Sequence, residues 1–340
     1  MIAEKDIRFF LEMLSIDSTS GRERPMAEWL AGHLQTPDNT VETLEVGDGT
    51  LNVRVSWGRP KLWFCSHCDT VPPYIPPTLK ADRIEGRGSC DAKGQVFSMF
   101  LACRELAARG LTNFGLLVLA GEETGSFGAK AYDRDCPGGD VVIVGEPTGN
   151  AMVTASKGTQ AYTVRIQGKP CHSGYPQWGE SAVDGFLDLM EKLRATYFPP
   201  DPELGDTTWN VGKLVSDNPQ NILSPELTCR IYFRTTFASH AFVKSVMEGF
   251  ASEKVSIEAH GGDTPMHYMT LDGLPRTTVA FGSDAPRLSK FARRALCGPG
   301  SISVAHTAAE HILLQDIETA VEQYVSMACT LLGTQKGERI

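Results

Sequence analysis

A chain of 340 residues, 41% hydrophobic and 8% aromatic, is long for a single core and too apolar for a disordered tail, so two folded domains are expected. Its net charge of −9 speaks against nucleic acid or an anionic membrane as partner, because both need a positive face; a small soluble substrate fits better. No stretch reaches the roughly 18 uncharged apolar residues that a membrane span needs.

The start, "MIAEKDIRFFLEMLSIDS", lacks a basic region followed by an unbroken apolar run and reads as an amphipathic helix. Nine scattered cysteines, an odd count with no export signal, suggest reduced thiols and a cytoplasmic location. Up to about residue 155, apolar runs alternate with helical patterns: "LNVRVSW", "KLWFCSH", the helix "GQVFSMFLACRELAARG", "FGLLVLAG" and "DVVIVGE". Continuous apolar strands between helices predict a sheet covered on both faces.

From "GTQAYTVRIQG" the pattern changes to strict alternation, with Tyr162, Val164 and Ile166 on one face and Thr163 and Arg165 on the other. A helix follows in "SAVDGFLDLMEKLRATYF", then strands "TTWNVGKLV" and "ELTCRIYFRTT", helix "SHAFVKSVMEGFAS" and strand "KVSIEAH". The order β-α-β-β-α-β is that of a ferredoxin-like unit. The first pattern then returns in "TTVAFG", "RALCGPG" and a closing helix "LQDIETAVEQYVSMACTLLG". The expected fold is therefore a three-layer α/β/α domain with a mixed sheet, residues 1–155 and 268–340, interrupted by an α+β domain over 156–267.

The chemistry gathers at strand exits. In an open α/β sheet, ligands bind beyond the carboxyl ends of the strands, and "KLWFCSHCDT" sets His67 and Asp69 just there. Residues two apart in an extended chain share a face, so Asp69 can accept from one imidazole nitrogen while the other binds a metal. "FGLLVLAGEE" ends in Glu122 and Glu123, "DVVIVGEPT" in Glu146; "GRGSCDAKG" puts Asp91 before a helix, and "GPGSISVAHTAAEH" delivers His306. Taken singly, each could be a solvated loop residue. Two histidines and several carboxylates on one sheet edge match nitrogen and oxygen ligation of zinc.

Other chemistries fit less well. Cys65 and Cys68 spell C-x-x-C, but they lie in a strand, where positions three apart face opposite sides, and there is no second such pair; they are expected in the core. A serine hydrolase would want G-x-S-x-G after a strand, which is missing, and "GRGSCDAKG" lacks the Lys-Ser/Thr ending of a phosphate loop.

The segments "SHCDTVP", "GRGSCDAKG", "GEETGSFG", "VGEPT", "KPCHSGYPQWGESAV" and "AHTAAEH" resemble, in order and spacing, the co-catalytic zinc aminoacylase and carboxypeptidase family. That family includes acetylornithine deacetylase, succinyl-diaminopimelate desuccinylase and carboxypeptidase G. The resemblance runs over essentially the whole chain. It implies that Asp91 bridges two zinc ions, with His67 and Glu146 completing one and Glu123 and His306 the other, cobalt or manganese being potential substitutes. Asp69 would orient His67, and Glu122 would be the general base. A cis peptide at Asp91-Ala92 is also implied. In the inserted domain, His172 would supply an oxyanion donor to the partner subunit's site, which implies a homodimer through that domain. Asn221 and Arg234 would hold a substrate carboxylate, a task that suits a guanidinium fork, with Gly282, Ser283 and Asp284 lining the same pocket. Three positions depart from the family's pattern: Gly121 before Glu122, Ala309 before Glu310, and Tyr232 on the inserted strand.

By resemblance, the leading expectation is a deacylase that frees an N-acyl amino acid, acetylornithine or acetylcitrulline. Glu146 favours it, since the family's aminopeptidase branch often has aspartate there. The alternatives are a dipeptidase, carboxypeptidase or desuccinylase with the same metals, and a non-catalytic dimeric binding module, which would have no need of Glu122.

Overall fold

A computed structural model describes residues 2–47 and 49–333, so 334–340 of the expected closing segment lie outside the described residues. The chain begins with helices α1 (Glu4–Leu14) and α2 (Arg24–His33), followed by strands β1 (Thr40–Gly47), β2 (Thr50–Trp57) and β3 (Leu62–His67). Next come α3 (Lys93–Ala108), β4 (Phe114–Leu119), α4 (Phe127–Asp135) and β5 (Val141–Val144). A second group follows: β6 (Gly158–Gln167), α5 (Ala182–Ala195), β7 (Thr208–Val215), β8 (Glu226–Thr235), α6 (His240–Gly249) and β9 (Val255–Ala259). β10 (Arg293–Leu296) and α7 (Leu314–Leu331) close the chain. The fold separates into two compact units, residues 1–154, 268–277 and 283–340 in the first and 155–267 with 278–282 in the second. No helix among the described residues is long and apolar enough to cross a membrane.

The first unit is built on one six-stranded mixed sheet, ordered β1-β2-β4-β3-β5-β10. The central pairs are parallel, whereas β1 and β2 run antiparallel at one edge. Strands β3, β4 and β5 are buried at every position, as an unbroken apolar run requires when both faces are covered. Neighbours on β3 demonstrate the two covers. Trp63 meets Tyr132 of α4 at 6.5 Å between ring centroids, and Phe64 meets Tyr324 of α7 at 5.4 Å. Successive side chains of a strand point to opposite faces, so α4 and α7 lie on opposite sides and the unit has three layers, as expected.

Helix α3 shows little amphipathicity because most of it is inside, from Lys93 through Leu106. Its first turn presses against the loop before it: a Cβ on Gly94 would sit 2.2 Å from the Ser89 carbonyl oxygen, so only glycine fits. On the same side of the sheet, Phe10 of α1 stacks on Phe97 of α3 at 4.6 Å. Short strands Arg83–Glu85 and His311–Leu313 pair antiparallel beside this helix.

The second unit holds a four-stranded antiparallel sheet ordered β7-β8-β6-β9. Its first and third strands in chain order are neighbours, with the second and fourth at the edges, which is the ferredoxin-like arrangement expected. The buried face carries Tyr162, Val164, Ile166, Leu227, Cys229, Ile231 and Phe233, packed against Leu189, Leu193, Val243 and Met247 of α5 and α6. Ser181 caps α5, its hydroxyl accepting from the amides of Val183 and Asp184.

Candidate active site

The parallel strands of the first unit deliver the candidate residues to one edge. His67 ends β3 and pairs in register with Leu119 of β4, and Cys65 pairs with Val144 of β5. Glu122 and Glu123 therefore leave β4, and Glu146 leaves β5, within a few residues of the level of His67. Asp91 arrives in the loop before α3, and its peptide bond to Ala92 is cis.

Asp91 stands at the centre. Its Oδ1 is 3.2 Å from Nε2 of His67, its Oδ2 is 3.2 Å from Nε2 of His306, and that same nitrogen is 3.0 Å from Oε1 of Glu123. His67, Asp91 and Glu123 each offer a ligand atom within 4.8 Å of the others. Two imidazoles converging on carboxylates are a hard and borderline donor set that fits zinc or a similar divalent ion. Nδ1 of His67 lies 3.3 Å from Oδ1 of Asp69 and 2.9 Å from the Asp69 carbonyl. Asp69 does more than face His67: it accepts the amides of Glu122 and Glu123 at 3.0 and 3.2 Å and the hydroxyl of Ser20 at 3.0 Å. One buried carboxylate thus ties the exits of β3 and β4 to the loop between α1 and α2.

The electrostatics follow from crowding these charges away from water. For Asp91, burial is the largest influence, yet the two histidines overcome it and hold the carboxyl well below its usual range. Burial pushes Glu122 and Glu146 well up, with neighbouring carboxylates adding to the effect and His67 opposing it. Burial likewise drives Asp284, which is 1% exposed, up to about 6. For His67, burial works against the charged ring, but hydrogen bonds to Asp69 and Asp91 prevail and raise it well above normal. Asp91 and Glu123 push His306 up to about 10.

The remaining candidates belong to other surroundings. Ser283 accepts the Ala285 amide at 3.3 Å within the first unit, and Gly282 closes the second unit's last segment. In the second unit, His172 is exposed and its Nδ1 accepts the Gly174 amide at 3.0 Å. Its neighbour Ser173 donates to the Asn221 carbonyl at 2.9 Å, so His172 and Asn221 share one corner. The Arg234 guanidinium lies over the Tyr232 ring at 4.9 Å. Cys65 and Cys68 are both buried and unbridged, as expected of core cysteines. Sequence reasoning missed Arg87 and Ser20 altogether and noted Glu310 without giving it a role; Arg87 and Glu310 form a buried ion pair next to Asp91.

Comparison with known proteins identifies the chain. Residues 63–330 match the model of peptidase family M20/M25/M40, and the protein belongs to that family of metallohydrolases acting on amide and peptide bonds. A peptidase M20 domain-containing protein of Schizosaccharomyces pombe is 32% identical over 93% of this chain and 82% of its own. A probable carboxypeptidase of Aspergillus clavatus is 31% identical over 94% of this chain and 80% of its own. Among solved structures, a tripeptidase of Staphylococcus aureus superposes with a TM-score of 0.79 at 19% identity, covering 96% of this chain and 98% of that one. An aminopeptidase of Bacillus cereus gives 0.77 at 22% identity, covering 95% and 97%. These relatives carry peptidase names, so the expectation of an acetylornithine deacetylase in arginine biosynthesis draws no support from them.

Proposed function

For a chain of this family, we propose a carboxypeptidase-like exopeptidase that uses two zinc ions to hydrolyse the amide bond of a short peptide or dipeptide next to its terminal carboxylate. The observation that carries it is the Asp91 carboxylate, with one oxygen on the His67 imidazole and the other on that of His306. That is the arrangement of a bridge between two cations. The choice of peptide over other amides is supported by the probable carboxypeptidases at 30–31% identity.

In this reading His67, Asp91 and Glu146 hold one ion and Asp91, Glu123 and His306 the other. The bound pair supplies Lewis acidity and lowers the pKa of water. Glu122, whose carboxyl is raised by burial, takes the proton of the attacking water and returns it to the leaving amine. His172 is suited to donate to the oxyanion: its Nδ1 accepts a backbone N–H, which leaves the proton on Nε2. We assign that donation to the partner subunit's site in a homodimer formed through the second unit. We assign the terminal carboxylate to Asn221 and to Arg234, whose guanidinium lies over the Tyr232 ring.

A second reading is release of an N-acyl amino acid; Glu146, where family aminopeptidases often have aspartate, speaks against an aminopeptidase and suits either reading. One assay separates the two: free-amine release by zinc-loaded protein from dipeptides and tripeptides, their C-terminal amides, acetylornithine and acetylcitrulline, with Glu122→Gln as blank. Peptides should be cleaved and their amides spared. Equal rates on the amides would refute the carboxypeptidase reading, and turnover of the acetyl amino acids alone would install the second.

A further inference from the structure

Glu310 lies four residues beyond His306 and is 1% exposed, yet it is bound by none of its own sequence neighbours. Its Oε1 accepts the backbone amides of Gly88 at 2.9 Å, Cys90 at 3.2 Å and Asp91 at 3.0 Å. Its Oε2 pairs with the guanidinium of Arg87, itself 2% exposed. The Glu310 carbonyl accepts the Gly86 amide at 2.9 Å, and the strand that follows it, His311–Leu313, pairs with Arg83–Glu85. One carboxylate thus fills a nest of backbone donors along the loop that ends in Asp91. Gln95 adds a second tie between the same segments, its Nε2 donating to the carbonyls of Cys90 at 3.1 Å and Pro299 at 2.7 Å.

Resting on the reading of Asp91 and His306 as metal ligands, we propose that Glu310, with Arg87, is a positioning residue of the metal centre. It locks the Asp91 loop to the segment that presents His306, so the spacing of these two ligands is set before an ion arrives. His306 needs such an anchor. Its backbone is left-handed, at φ 63°, in a run of turns with mostly exposed side chains, and a free loop there would sample many spacings. Among its three backbone donors the carboxylate holds the amide of the proposed bridging residue itself, Asp91.

The test is zinc affinity of the full-length protein, stripped of metal and titrated against a chromophoric chelator, read beside the melting temperature of the metal-free form. Glu310→Gln keeps the shape and loses the charge. It should weaken zinc binding by about 10- to 100-fold, as loss of outer partners of metal ligands does, and lower kcat more than it raises KM. Arg87→Lys, which keeps a cation, should move both readouts the same way by less, and serves if Glu310→Gln does not fold. Leu34→Ala, a cut in the core of the same unit, should lower the melting temperature and leave zinc affinity alone. Unchanged zinc affinity in Glu310→Gln with a lowered melting temperature would overturn the inference and leave a purely structural pair. A parent protein that binds no zinc would instead overturn the reading of the site on which it rests.

Discussion

Loading the metal-free protein with zinc at pH 7 should expel about two protons per chain, because a ligating histidine must be unprotonated. Both proposed histidine ligands are expected to begin as imidazolium, because carboxylates face their ring nitrogens. In His67, Nδ1 faces the Asp69 carboxylate and carbonyl while Nε2 faces Asp91. A neutral ring has one N–H, which would leave a lone pair against an acceptor, whereas the charged ring satisfies both sides. Burial opposes that charge, and the two aspartates outweigh it. His306 sits between Asp91 and Glu123, which push it up to about 10. Its ring is half exposed, and solvent screening trims such a shift, but the margin above pH 7 is wide. Burial raises Glu146 as well, so any proton it carries adds to the count. The sign follows: zinc affinity rises with pH, by about one decade per pH unit for each proton displaced, until the histidines titrate on their own. Calorimetric titration in buffers of different ionisation enthalpy measures the count directly. A value near zero at pH 7 would mean the imidazoles are neutral in the metal-free protein and would refute the charged-pair account.

Three other outcomes are expected. Glu122→Gln should lower kcat by about a hundred- to ten-thousand-fold, the usual worth of a positioned general base, with zinc content by elemental analysis unchanged. Asp69→Asn cannot accept from all of its present donors, the amides of Glu122 and Glu123 and the Ser20 hydroxyl; zinc affinity should fall by about 10- to 100-fold, read by chelator competition. Phe64→Ala, at the centre of the sheet with its ring against Tyr324, should cost about 3–5 kcal/mol in a denaturant titration followed at the first unit.

What could be read from the sequence and what could not divide along a physical line. Strands β3, β4 and β5 announce themselves because burial on both faces forces unbroken apolar runs, and charged groups at their ends stand out against such runs. In the second unit β8 alternates along its whole length, as a sheet with one buried face requires, whereas β6 alternates in burial only from Val164 on, because Thr159, Gln160 and Thr163 are buried too. Strand β1 escapes the sequence pattern: it is an edge strand with no fully buried position, Val41 packs only partly on the core, and "TVETLEVG" looks like polar surface. The Arg87–Glu310 pair was hidden for a different reason. Its partners are 223 residues apart, and no periodicity relates them. The pairing of Arg83–Glu85 with His311–Leu313 helps bring them together, and that pairing involves strands too short to leave a signature. His67, Asp91 and Glu123 could be proposed one loop at a time, because each follows from where its own strand or helix begins or ends; His306, in a run of turns away from any element's end, stands out only by its motif. The residues that fix the distances among them belong to no element's local logic, so they become visible only after the chain has closed.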